Sequence, residues 1–266
     1  MKKSRHDTLE AGKSGSTERF GYEWDTYSDI IPEYEGQFLK WVYPLGKNDF
    51  KGKKILDGGC GIGRNSFWPL KYGAKKALAF DYDPRTVEAA KKNLSQFNEA
   101  KVRWGSIYEI PEKGQFDISF SIGVIHHLAD PRKAVSELAK ATKKGGKVLI
   151  WVYGYEGNEW IVRYINPIRK ITSKLPLKFV HILSYCLSIP LYSYVKLFSP
   201  KHPYLNQLSR FRLWHTHSIV FDQLIPRIAN YWKRDEARGL FENQGLKDIN
   251  VYRVNGNSWT VIGTKK

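Results

Sequence analysis

Short apolar runs, each closed by an acid, a glycine or a polar turn, recur through the middle of the chain and read as strands. Ile55-Leu56 runs into Asp57, and Ala77-Leu78-Ala79-Phe80 into Asp81, a separation that admits one helix and one strand between the two acids. Val102 to Ile107 predicts a third run, Phe116 to Ile122 a fourth, and Lys147 to Val152, after the Gly145-Gly146 turn, a fifth. Asp83-Pro84 predicts a helix start, because Asp caps free N–H groups and Pro suits the first turn. Further helices are expected near Asp130 and over 235–244. Asp248 to Val254 and Ser258 to Thr264 flank Asn255-Gly256-Asn257, a strong hairpin signal.

The turn after the first run carries the chemistry. Glycines at 58, 59, 61 and 63 follow Asp57, and those at 59, 61 and 63 allow a turn too tight for residues bearing a Cβ, so that a ligand can lie against the backbone. A dinucleotide G-x-G-x-x-G fingerprint anchored on Gly59 needs a glycine at 64, where Arg64 stands. The order D-x-G-x-G-x-G from Asp57 to Gly63 instead resembles the first motif of class I S-adenosylmethionine (SAM) methyltransferases. Phe80-Asp81-Tyr82-Asp83-Pro84 resembles the second, in which the acid accepts hydrogen bonds from both ribose hydroxyls. Val102 to Ile107 resembles the third, with Ser106 where the family usually has Asp beside the adenine amino group.

This resemblance covers residues 50–150 and 235–266 and implies an α/β, Rossmann-like, mostly parallel seven-stranded sheet. The sheet would end in an antiparallel hairpin, with a helical insertion between strands 5 and 6. The implied cofactor is S-adenosyl-L-methionine, held by Asp57, Gly58, Gly59, Gly61, Gly63, Asp81, Tyr82, Ser106, Ile107 and Ser121. From the segment before the core, Tyr22 or Trp24 could set a ring against the sulfonium. The expected organisation is a disordered 1–20, a helical cap over 21–50, the SAM-binding core over 51–153, a helical lid over 154–234, and the last helix and hairpin over 235–266.

His126 and His127 follow the fourth strand, beside the expected methyl position, in a setting that resembles small-molecule O-methyltransferases. One imidazole can serve as base, since histidine titrates in the useful range. Alternatively, one caps the next helix and the other packs. His215-Thr216-His217 supplies only two potential ligands with no acid or cysteine cluster beside it, so no metal is expected.

Charge and cysteine content sharpen the acceptor question. The 266 residues carry a formal net charge of +17, and no Asp or Glu lies between Glu159 and Asp222. That interval holds Arg163, Arg169, Lys170, Lys174, Lys178, Lys196, Lys201, Arg210 and Arg212, a field suited to phosphate, an anionic membrane surface or RNA. Pro167, Pro176, Pro190, Pro200 and Pro203 predict several short helices, and the apolar run Phe179 to Phe198 a buried or interfacial helical hairpin. Two cysteines, Cys60 and Cys186, and a polar N-terminus without a signal peptide point to a cytoplasmic setting, with peripheral membrane contact left open. The resulting expectation is an enzyme methylating a small or lipid-linked metabolite, with O-methylation favoured. RNA methylation through the basic insertion, and SAM binding without catalysis, are the alternatives. Against RNA, the Asn-Pro-Pro-Tyr of many base N-methyltransferases is absent after the fourth strand, where Ser121-Ile122-Gly123 stands.

Overall fold

A computed structural model describes residues 29–198, 201 and 203–266. Seven strands, β1 (Lys54–Gly58), β2 (Lys76–Asp81), β3 (Ala100–Trp104), β4 (Phe116–Ile122), β5 (Thr142–Tyr153), β6 (Leu246–Val254) and β7 (Ser258–Lys265), form one sheet in the order β3-β2-β1-β4-β5-β7-β6. β1 to β5 pair in parallel, and β7 runs antiparallel between β5 and β6. The expected sheet and closing hairpin are therefore observed. The order reverses between β1 and β4, and ligands of open α/β sheets collect at such a switch point.

Helices cover both faces because each strand buries residues on alternate sides. Ile55, Phe120 and Leu149 pack under α1 (Glu33–Trp41), α2 (Lys47–Phe50), α3 (Arg64–Lys71) and α4 (Pro84–Leu94), beside Phe38, Phe50, Trp68 and Leu94. Leu56, Val148 and Ile150 pack under α5 (Pro131–Ala141) and α10 (Arg234–Gly239), beside Val135, Leu138 and Phe241. Asp83 Oδ1 accepts from the Arg85 N–H at 2.8 Å and Asp130 Oδ1 from the Lys133 N–H at 3.0 Å, the two caps the sequence predicts. β3 stops at Trp104, short of Ile107, and α10 is shorter than the 235–244 expected.

The insertion is a closed excursion from the end of β5. Gly154 bridges to Trp232, the Trp232 N–H donates to the Tyr153 carbonyl at 3.2 Å, and the Tyr155 N–H to the Trp232 carbonyl at 2.8 Å, so the segment leaves and returns at one point. Between them come a π-helical turn (Ile161–Ile165), α6 (Asn166–Thr172), α7 (Leu177–Phe198), α8 (Pro203–Ser209) and α9 (Leu213–Leu224). Pro167, Pro176 and Pro203 sit at or just before helix starts, as expected. Pro190 does not break its helix: the run read as a hairpin is one continuous 22-residue helix, α7. A proline in the interior forfeits one backbone hydrogen bond, and packing of α7 along α9 offsets that loss.

Candidate active site

The β1–α3 loop is fastened to the end of β2. The Gly59 and Cys60 N–H groups both donate to the Phe80 carbonyl, at 2.9 and 3.0 Å, and the Gly61 N–H donates to Asp81 Oδ2 at 2.9 Å. Gly59 has φ +77°, and a Cβ there would meet Val124 Cγ2 at 2.5 Å, so only glycine keeps this loop against the β4–α5 segment. Asp81 Oδ1 also accepts from the Asp83 N–H at 3.0 Å. Each carboxylate oxygen thus retains acceptor capacity toward the cavity in front of it. Burial raises the Asp81 pKa, against the lowering effect of these backbone donors.

That cavity encloses about 840 Å³ and runs from the loop to the insertion. Of the expected site residues, Gly59, Gly61, Asp81, Tyr82, Ser106, Ile107 and His127 line it. Asp57, Gly58, Gly63, Ser121 and His126 lie behind the wall. Ser121 Oγ donates to the Gly58 carbonyl at 2.7 Å, bracing the loop from below. Asp57 is fully buried, accepts from Ser66 Oγ at 2.8 Å, and has its carboxyl pushed up to about 7 by burial. Burial also pushes the Cys60 thiol up, which leaves it an inert wall group. Tyr22 and Trp24 lie outside the described residues.

The histidine pair divides. His127 Nδ1 meets the Ile228 carbonyl at 2.7 Å, which fixes Nδ1 as the protonated nitrogen and Nε2 as the acceptor. Burial, with some contribution from the Arg169 charge, pulls its pKa down to about 3. His126 stacks on Tyr153 at a ring separation of 3.6 Å and is fully buried, so burial holds it neutral. His215 and His217 divide in the same way, since two residues along a helix point nearly opposite ways. His215 lines the cavity, while His217 turns into the α7–α9 contact.

The sequence reading missed the far end of the cavity. Tyr153, Asp222, Gln223 and Tyr231 line it, at the end of β5, the end of α9 and the return of the insertion. The Tyr153 hydroxyl lies 3.4 Å from Asp222 Oδ2, and Gln223 Nε2 donates to it at 3.3 Å. Behind them the buried Arg169 donates to the Gln223 carbonyl, Asn166 Oδ1 and the Tyr231 hydroxyl at 2.6 to 3.0 Å. Leu187, Leu191, Phe211 and Ile219 form an apolar wall beside this polar group. Tyr34 packs with Leu191, Phe211 and Ile219, and Arg64 lies 5.0 Å from the Tyr34 ring and 5.2 Å from that of Trp41, all three at the cavity wall. Only the helical cap expected over 21–50 pointed to Tyr34 and Trp41 in the sequence.

Residues 56–150 match the family described as "Methyltransferase domain". A tRNA U34 carboxymethyltransferase of Campylobacter hominis is 34% identical over 131 residues, covering 47% of this chain and 44% of that protein. A ribosomal protein L11 methyltransferase of Neisseria meningitidis is 36% identical over 113 residues, covering 42% and 35%. The chain thus spans less than half the length of these curated relatives. A SAM-dependent methyltransferase from Aquifex aeolicus, solved by crystallography, superposes with a TM-score of 0.54 at 15% identity, covering 92% of this chain and 98% of that one. The superposition extends the shared fold to nearly the whole chain. The domain match falls on the segment that carries the glycine loop and Asp81.

Proposed function

We propose that this chain transfers the methyl group of S-adenosylmethionine to a small or lipid-linked acceptor carrying a hydroxyl. One observation carries the reading: a single cavity joins the glycine loop and Asp81 to a mixed polar and apolar pocket, with His127 on its wall 5.8 Å from the Tyr153 ring. The chemistry of the donor set fits the cofactor. Gly59 and Gly61 leave backbone where side chains would otherwise project, and Asp81 presents acceptors suited to a pair of vicinal hydroxyls. Tyr82 and Ile107 would flank the adenine, with Ser106 at its edge.

When bound, the cofactor supplies an already activated methyl, so the protein has mainly to hold the acceptor in line and keep water out. His127 Nε2 orients the acceptor hydroxyl. With a pKa near 3, it receives that proton only as the new O–C bond makes the oxygen cationic and its proton strongly acidic; proton loss then leaves a neutral ether. Tyr153, Gln223 and Asp222 hold the polar head of the acceptor, and Leu187, Leu191 and Phe211 its apolar part. The same apolar wall weighs against a nucleotide acceptor, for which the basic insertion and the name of the Campylobacter relative are the supporting signs.

The test is incubation with methyl-labelled SAM and a fractionated cell extract, alongside calorimetric titration with SAM and its demethylated product. Heat on titration, with label entering the small-molecule or lipid fraction, is the expected result. Label confined to RNA would replace the acceptor class, and absence of heat with either ligand would overturn the reading.

A further inference from the structure

Helix α7 is inverted over its middle turns. Its inner face carries Ser184 and Ser188 between Val180 and Val195, all four fully buried. Ser188 Oγ lies 2.9 Å from Nδ1 of the equally buried His217, whose ring stacks on Tyr185 at 3.7 Å. The outer face presents Phe179, Leu183, Cys186 and Pro190, spaced by four, three and four residues along one stripe, with Ile182 alongside and Leu197 beyond the exposed Ser193. Phe179 is 54% exposed, Ile182 71% and Leu197 76%. An exposed apolar stripe of this kind, interrupted only at Ser193, marks a surface that meets something other than water. No helix among the described residues is long and apolar enough to cross a membrane, which leaves a surface contact.

Charge decides what that contact is. Lys178 and Lys196 lie about five full turns apart and hence on the same flank of α7, at the border of the apolar stripe. Lys196 also reaches the Ser209 carbonyl at 2.7 Å, tying α7 to the end of α8. From Trp160 to Phe221 the chain has cations and no acid. A two-fold pairing with a second copy through this face would set these cations against one another with no carboxylate from the interval to relieve them. An anionic lipid surface meets both features at once: apolar side chains enter the headgroup boundary while lysines pair with phosphates.

We infer that the outer face of α7 docks the protein on an anionic membrane, lying flat in the interface. The opposite flank of the helix gives the docking a purpose. Leu187 and Leu191 there line the cavity, and Leu187 is also 48% exposed, as is the cavity-lining Trp160 at 57%. The cavity therefore reaches the surface beside the docked face, where an amphiphile held in the bilayer could enter tail-side first. This purpose rests on the methyl-transfer reading; the docking itself does not.

The experiment is cosedimentation of the full chain, without cofactor or acceptor, with vesicles of phosphatidylcholine alone and with added phosphatidylglycerol. The chain is expected to pellet with the anionic vesicles and to be partly released by salt. The triple variant Phe179→Ser, Leu183→Ser, Leu197→Ser, and separately Lys178→Glu with Lys196→Glu, should each weaken partitioning roughly tenfold. Far-UV circular dichroism melts serve to show that both variants fold. Failure to bind anionic vesicles, or wild-type binding by the triple variant, would overturn the inference. So would a dimer in sedimentation velocity, or a complex with bulk tRNA, that these substitutions abolish while vesicles are ignored. Because no methyl transfer is measured, failure here leaves the enzymatic reading standing.

Discussion

At the scale of single residues, the site depends on a few groups whose surroundings fix their chemistry. Asp81 is the proposed cofactor contact with most to lose: substituting Asp81→Ala would remove two charge-assisted acceptors, worth about 3 kcal/mol or more together, so SAM affinity should fall roughly a hundredfold by calorimetry. Asp57 and His127 make opposite demands on pH. The Asp57 pKa is raised from 3.8 to about 7 in the folded chain, so the folded state holds the proton more tightly and loses stability as pH rises across that window. The His127 pKa is lowered from 6.5 to about 3, so its contribution is complete above pH 6.5 and is lost as pH falls toward 3. Asp57→Asn should therefore flatten the decline between pH 4 and 7, gaining at most on the order of 4 kcal/mol at neutral pH. Thermal melts of the two ligand-free proteins across that range check this; parallel curves would show that Asp57 carries no such penalty. The loop glycines and Asp81 were legible because their constraint is local: a positive φ and a close approach leave a mark in consecutive residues. Tyr153, Arg169, Gln223 and Tyr231 were not, because they meet only when the insertion closes.

At the scale of elements, legibility follows periodicity. The strands of the core announced themselves through apolar runs ending in acids or glycine, and the hairpin through Asn255-Gly256, whose φ values are +51° and +78°. Helix α7 misled because its polarity is reversed around Ser184 and Ser188, which face inward while Pro190 lies exposed, so that serines and a central proline suggested a break in what is one continuous helix. That reversal has a measurable consequence. Ser188→Ala removes the closer hydroxyl on His217 Nδ1, at 2.9 Å, and leaves Ser184 Oγ at 3.4 Å, in a fully buried setting, a loss of about 1–2 kcal/mol. Leu183→Ser on the outer face should change stability by no more than about 0.5 kcal/mol. Urea unfolding of the two variants tests the contrast; for an ordinary amphipathic helix the order would be the reverse, with the leucine substitution the costlier. His217 adds a pH signature, since burial pulls its pKa down to about 4 and its protonation at lower pH places a charge in that buried contact.

At the scale of the whole molecule, the question is how a helical excursion entering and leaving at Gly154 and Trp232 is held over a sheet with which it shares little backbone pairing. Arg169 supplies one fastening. It is buried, forms no ion pair among the described residues, and spends its donors on Asn166, the Gln223 carbonyl and side chain, and the Tyr231 hydroxyl. A buried cation held by neutral acceptors contributes little net stability, because its desolvation offsets its hydrogen bonds. Its effect is instead positional, in that it sets α6, the end of α9 and the returning strand segment around the far end of the cavity. Arg169→Met keeps the apolar stem and removes the charge but leaves the Gln223 carbonyl, Asn166 Oδ1 and the Tyr231 hydroxyl without their donor, so global unfolding should shift by about 1–3 kcal/mol. The amide hydrogens of residues 223–231 should exchange faster with deuterium, as that end of the cavity opens more often. The cofactor end is fastened independently, through Gly59, Cys60 and Gly61 to the end of β2, so SAM affinity should stay within about twofold. Loss of SAM binding together with unchanged exchange would mean that the two ends of the cavity are coupled through the sheet and that Arg169 does not position the lid.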